Sequence, residues 1–269
     1  MKVNNHYGDY AGDALEDDFH LSPVHSEAES ENESETELVE ETQKRAKKAN
    51  NKKEPKPPKK VKLDIKADVP NMTPLELEKH FNTCFKVNLK TLSDEEFENT
   101  QFKDTYFKLS DYKEPHIMEN LAPFVKAMIK DATVLSDLPK AKFVGHPTVL
   151  MITSSAIRAT DLIRALKTVS GTSKVAKLFS KHIKLSEQVQ FLKENTFNIG
   201  VGTPNRILKL SETKDLKLGR LKYVILDMHR DVRKLNIADM RDTAPDLFTF
   251  YKDFLHPLLV KDQTKLILF

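Results

Sequence analysis

Over residues 142–269, short unbroken apolar runs alternate with amphipathic stretches, and this constrains the fold more than any other feature. Thr148-Val149-Leu150-Met151-Ile152, Phe197-Asn198-Ile199-Gly200-Val201, Tyr223-Val224-Ile225-Leu226 and Lys265-Leu266-Ile267-Leu268-Phe269 read as strands, and residues 174–179 as a weaker one. Between them, Ser154-Ser155 can cap a helix running to about Leu166 and ending near Gly171. Ser186 can cap a helix containing Val189 and Leu192, Thr203-Pro204 starts another, and residues 246–255 read as a further one. Strand and helix in alternation imply a mainly parallel sheet covered by helices on both faces, an α/β fold. Val224-Ile225-Leu226 has no polar alternation, as a strand buried from both sides requires. Ligands of such sheets meet the carboxyl ends of the strands. The polar residues to watch are therefore Ser154 and Ser155, Thr203 to Arg206, and Asp227 to Asp231.

The preceding segment reads as helical. Thr73-Pro74-Leu75-Glu76 and Ser93-Asp94-Glu95-Glu96 have the spacing of capping boxes. Leu77, Phe81, Cys84 and Phe85 then share one helix face, which makes Cys84 a core residue rather than a nucleophile. Phe97, Phe102, Tyr106 and Phe107 are expected to wrap onto the main domain as core, and a further helix is expected over residues 117–129. Cys84 is the only cysteine, so no internal disulfide can form; with no paired Cys/His spacing, a structural zinc is not expected. No apolar run reaches the ~18 residues of a membrane-spanning helix, and the N-terminus has no apolar signal-peptide core.

Charge divides the chain further. Residues 1–43 carry 13 Asp/Glu against one Lys, and residues 44–62 carry ten Lys/Arg against one Glu. So little apolar surface cannot offset chain entropy, and residues 1–62 are expected to be a disordered tail. Ser26, Ser30 and Ser34 each have Glu three positions later, a pattern suited to acidophilic kinases. Pro57-Pro58-Lys59-Lys60-Val61-Lys62 has the form of a nuclear import signal centred on Lys59, Lys60 and Lys62, and its lysines suit RNA phosphates equally well.

Gly200-Val201-Gly202-Thr203-Pro204-Asn205-Arg206-Ile207-Leu208 resembles the strand-to-helix signature of DEAD-box helicases, which usually reads Thr-Pro-Gly-Arg; here Asn205 replaces Gly. Val224-Ile225-Leu226-Asp227-Met228-His229-Arg230 lies where those enzymes have Asp-Glu-Ala-Asp, and only Asp227 survives. Ile152-Thr153-Ser154-Ser155-Ala156-Ile157-Arg158-Ala159 lies where they have Pro-Thr-Arg-Glu-Leu-Ala, and residues 265–269 resemble the strand before Ser-Ala-Thr. With the acidic-then-basic tail, the degenerate pattern resembles the Cms family, helicase-like proteins of small-subunit ribosome biogenesis. The resemblance implies a single RecA-like domain over residues 141–269, a helical N-terminal extension over 63–140 and the tail over 1–62. It also implies location in the nucleus and nucleolus, with precursor ribosomal RNA and assembly proteins as partners. No small-molecule substrate and no membrane are expected.

The same resemblance implies that catalysis is absent. A phosphate-binding loop needs glycine followed by lysine, and none of the seven glycines precedes a lysine. Met228 stands where the family's catalytic Glu would position water, and no residues are left for the second helicase domain. No cofactor or catalytic residue is expected. RNA binding can outlast catalysis, and its candidates are Ser154, Ser155, Arg158, Thr203, Asn205 and Arg206. Thr203 opens a helix whose positive end suits phosphate. Arg206 suits either a phosphate or an internal brace, and Ser154 and Ser155 suit plain capping equally well. His229 lacks neighbours at metal spacing, so no metal is assigned there. The competing function is a protein–protein adaptor whose folded part never touches RNA.

Overall fold

The computed structural model of the chain describes residues 68–109 and 112–269. The acidic and basic blocks, Lys59, Lys60 and Lys62, and the serines Ser26, Ser30 and Ser34 lie outside the described residues.

Helix α1 (Pro74–Asn88) and α2 (Asp94–Thr100) start at complete capping boxes, Thr73 with Glu76 and Ser93 with Glu96. In each, the hydroxyl accepts a backbone N–H and the glutamate accepts one in return, so two donors that helices leave unpaired are satisfied locally. Next come α3 (Leu121–Met128) and the short α4 (Thr133–Ser136). From there strand and helix alternate: β1 (Val149–Ile152), α5 (Ala156–Ser170), β2 (Val175–Leu178), α6 (Leu185–Glu194), β3 (Ile199–Gly202), α7 (Pro204–Glu212) and β4 (Tyr223–Leu226). Helix α8 (Ala244–Phe250) continues through a π-helical turn, Tyr251–Leu255, into α9 (His256–Val260), and β5 (Lys265–Leu268) follows.

The strands form one sheet in the order β2-β3-β1-β4-β5, every pairing parallel. This is the α/β architecture that the apolar runs predict. β1 and β3 are buried at every position, while β2, at one edge, buries only alternate residues. That half-burial is why its sequence signal is the weakest. Lys177 lies half-buried on this edge strand, where a charge discourages pairing with another chain. The opposite edge is covered: Phe107 bridges Leu266, and the Lys108 N–H donates to the Leu266 carbonyl at 2.7 Å.

Alternate strand residues feed two hydrophobic layers. Leu150, Ile152, Val224, Leu226 and Leu266 join one with Leu77, Phe81, Phe85, Phe102 and Phe248. Val149, Met151, Val201, Ile225 and Ile267 join the other with Phe124, Leu162 and Leu166. Residues before the first strand thus supply part of both layers. Phe97, Phe102, Tyr106 and Phe107 pack inward, as expected of core.

Two local expectations change. Helix α6 begins before Ser186, which sits in its first turn rather than at its cap. Lys184 takes the cap position because its N–H donates to the Glu187 carboxylate at 3.2 Å. Helix α8 starts at Ala244, two residues before the expected start, because Pro245 suits the first turn.

Two glycines are required by geometry. Gly171 ends α5 at φ +56°, where a side chain would strain the backbone. Gly202 sits where a Cβ would lie 2.1 Å from the Leu178 carbonyl oxygen and 2.6 Å from the Leu178 Cβ. Gly202→Ala is therefore expected to cost at least about 1–3 kcal/mol, since β2 must shift away from β3. Urea unfolding measures this, and a change below about 0.5 kcal/mol would contradict the close approach.

Candidate functional site

Parallel strands bring the turns after β1, β3 and β4 to one end of the sheet. Bonds between strands continue past the strand ends and hold these turns in place. Thr153 N–H donates to the Gly202 carbonyl at 2.9 Å, Thr203 N–H to Leu178 at 3.1 Å and Asp227 N–H to Ile152 at 2.9 Å. Helix α5 leaves β1 toward one hydrophobic layer, while α7 and α8 lie on the other. The chain thus changes face at β1, and a crevice between such neighbouring strands is the usual ligand position in this class of sheet.

Asp227 is the centre of the arrangement, with its side chain 1% exposed. Its Oδ2 accepts the Thr153 hydroxyl at 2.8 Å and the Arg158 Nε–H at 3.0 Å. Its Oδ1 accepts Arg158 Nη2 at 3.2 Å and the His229 backbone N–H at 3.4 Å. A carboxylate has about four lone-pair positions, and all are used. The guanidinium supplies the positive charge that a buried carboxylate needs, in the two-pronged geometry that suits arginine.

The other candidates divide between bracing and exposure. Ser155 caps α5 by accepting the Arg158 backbone N–H at 3.2 Å, and Ser154 is half-buried beside it. Arg206 turns inward and donates to the Ile183 carbonyl at 3.2 Å and to Gln188 Oε1 at 2.7 Å. Gln188 in turn donates to the carbonyls of Lys177 and Phe179, both at 2.8 Å, so α6, α7 and the end of β2 are clamped together. Burial lowers the pKa of Arg206 from its ordinary value. Asn205 Nδ2 donates to Asp246 at 3.0 Å. Thr203 stays half-buried and its side chain makes no cap bond. Of the six, Arg158, Asn205 and Arg206 are engaged with other side chains of the chain itself.

Basic side chains are exposed on either side of this centre. Lys181, His182 and Lys184 follow β2, and His229, Arg233 and Lys234 follow β4. The second group has an ordered turn beneath it. Asp231 accepts the Arg233 and Leu235 N–H groups at 2.8 and 3.0 Å and the Arg233 Nε–H at 2.7 Å. The Arg233 side chain beside it, helped by these backbone donors, holds the Asp231 carboxyl below its usual range. Val232 stands at the tip, 99% exposed. Spacing along the chain pairs neither Arg158 with Asp227 nor Arg206 with Gln188, because each partner lies on a separate element.

The sequence model described as CMS1, U3-containing 90S pre-ribosomal complex subunit, matches residues 24–268. Protein CMS1 of Chaetomium thermophilum is 38% identical over 140 residues, 51% of this chain and 55% of that protein. Protein CMSS1 of Homo sapiens is 37% identical over 121 residues, 45% of this chain and 43% of that protein. The chain thus spans about half the length of these curated relatives. Among solved structures, a DEAD box protein from the hyperthermophile Methanococcus jannaschii superposes with a TM-score of 0.36 at 16% identity, covering 55% of this chain and 36% of that one.

Proposed function

The chain belongs to the family of U3-containing 90S pre-ribosomal complex subunits, and on that premise we propose that it is a non-catalytic nucleolar assembly factor of the small ribosomal subunit. Its folded part serves as a pseudo-helicase platform for precursor ribosomal RNA. The observation that carries this reading is the closure of Asp227. On a helicase-like sheet the carboxylate after this strand would organise a metal and its water. Here Thr153, Arg158 and the His229 N–H occupy it instead. Exposed Lys181, Lys184, Arg233 and Lys234 then offer charge to a phosphate backbone without reading sequence.

Two measurements test the reading. Calorimetry with ATP and Mg²⁺ is expected to give no binding heat, and micromolar binding would overturn the non-catalytic assignment. RNA affinity of the full chain is expected to fall with salt. Replacing Arg233 and Lys234 by alanine should flatten that slope by about 1.4 for a single strand, at about 0.7 per phosphate contact. A second reading, a protein adaptor whose folded part does not touch RNA, is favoured by the internal engagement of Arg158, Asn205 and Arg206. It predicts that deleting residues 44–62 removes RNA affinity entirely and that the Arg233 and Lys234 substitutions change nothing.

A further inference from the structure

We infer that His80, Cys84 and Asp239 form a zinc-binding site that staples α1 to the segment between β4 and α8. His80 and Cys84 stand four residues apart on one face of α1, with Nε2 and Sγ 3.7 Å apart. Asp239 comes from the segment after β4, and one donor atom from each of the three lies within 4.8 Å of the others. Tetrahedral zinc, with bonds of ~2.0–2.3 Å, places its donors about 3.5 Å apart. The Cys–His pair already stands near that spacing, and the carboxylate has little more than about 1 Å to close.

The surroundings hold the donors in place. Asn236 N–H donates to Asp239 Oδ2 at 3.3 Å, and Asn236 Oδ1 accepts the Ala238 N–H at 2.9 Å. Asn88, one turn beyond Cys84, donates to the carbonyls of Cys84 and Ala238 at 2.9 and 3.3 Å, so it ties the two segments beside the donors. Such outer contacts are what orient metal ligands.

Electrostatics favour a cation here. Cys84 is fully buried and Asp239 is 7% exposed. A thiolate next to a buried carboxylate is strongly disfavoured alone; a divalent cation reverses that balance and takes both as ligands. Sulfur, imidazole and one carboxylate suit zinc, whereas calcium and magnesium prefer oxygen throughout. The three side chains leave the fourth position to water. The third donor lies far along the chain from His80-x-x-x-Cys84, so spacing alone does not assemble the set.

Cobalt titration of the purified full chain tests this. Cys84 is the only cysteine, so any thiolate-to-cobalt charge-transfer band reports on this site alone. The band is expected to saturate near one Co²⁺ per chain and to vanish when Zn²⁺ is added. Cys84→Ser should abolish it, and the isosteric Asp239→Asn should weaken cobalt affinity at least about tenfold, both with unchanged circular dichroism. Zn²⁺ should also raise the wild-type Tm relative to EDTA. A folded wild-type chain with no band and the same Tm in Zn²⁺ and EDTA would overturn the assignment, leaving a direct contact between the buried polar groups.

Discussion

Arg158→Ala is expected to destabilise the protein by about 3–5 kcal/mol, because it leaves the Asp227 carboxylate buried without its countercharge. The Asp227 side chain is 1% exposed and that of Arg158 16%, so water cannot replace the guanidinium without opening the turn after β1. A loss of this size is a large part of the ~5–15 kcal/mol that holds a typical domain together. The double variant separates charge from packing. Asp227→Asn keeps the shape and removes the charge. Arg158→Ala with Asp227→Asn should therefore be more stable than the sum of the two single losses by about 1–3 kcal/mol. Strict additivity in urea unfolding would mean that the two side chains act independently. That result would remove the main support for a closed, non-catalytic centre.

Phe85→Ala is the second large effect, expected at about 3–5 kcal/mol. Phe85 is fully buried, and its ring meets Phe248 and Tyr251 at centroid distances of 5.7 and 5.5 Å and Phe97 and Phe102 both at 5.9 Å. The rings come from α1, α2, the chain after it, α8 and the π-helical turn, so one cavity would loosen the layer between α1 and the sheet. Aromatic pairs add about 0.5–1.5 kcal/mol each beyond simple burial, which places the substitution toward the upper end. A cost under about 1.5 kcal/mol, measured by urea unfolding, would show that the rings repack around the gap and that α1 adds little to the core.

Part of the candidate site was legible and part was not. The turns after β1, β3 and β4 were found because strand ends in a parallel sheet must converge on one edge, and the apolar runs mark those ends. What their side chains do there was open. Arg206 suited both a phosphate and an internal brace, and the Gln188 oxygen that engages it lies on another helix. Arg158 is a candidate for RNA contact by its place after β1, and its guanidinium also engages Asp227, 69 residues away. Cys84 is buried, as its place among the apolar residues of one helix face predicts. His80 lies one helical turn before it, and Asp239 joins them only once α1 lies against the segment after β4. The cap of α6 lies at Lys184 rather than Ser186 for a smaller reason: Glu187 reaches back to the Lys184 N–H, and lysine is not a residue that announces a cap.

The sequence by itself determined the kinds of element and much of their placement. Capping boxes, glycine at the end of α5 and unbroken apolar strands act over three or four residues or through burial alone, and such signals are written locally. Only the tertiary structure decided the strand order β2-β3-β1-β4-β5, the closure of Asp227 by Arg158, and the meeting of His80, Cys84 and Asp239. Those contacts join residues far apart in the chain. Which buried charge finds which partner depends on how the layers pack, because the cost of leaving a charge unpaired arises only once packing has excluded water.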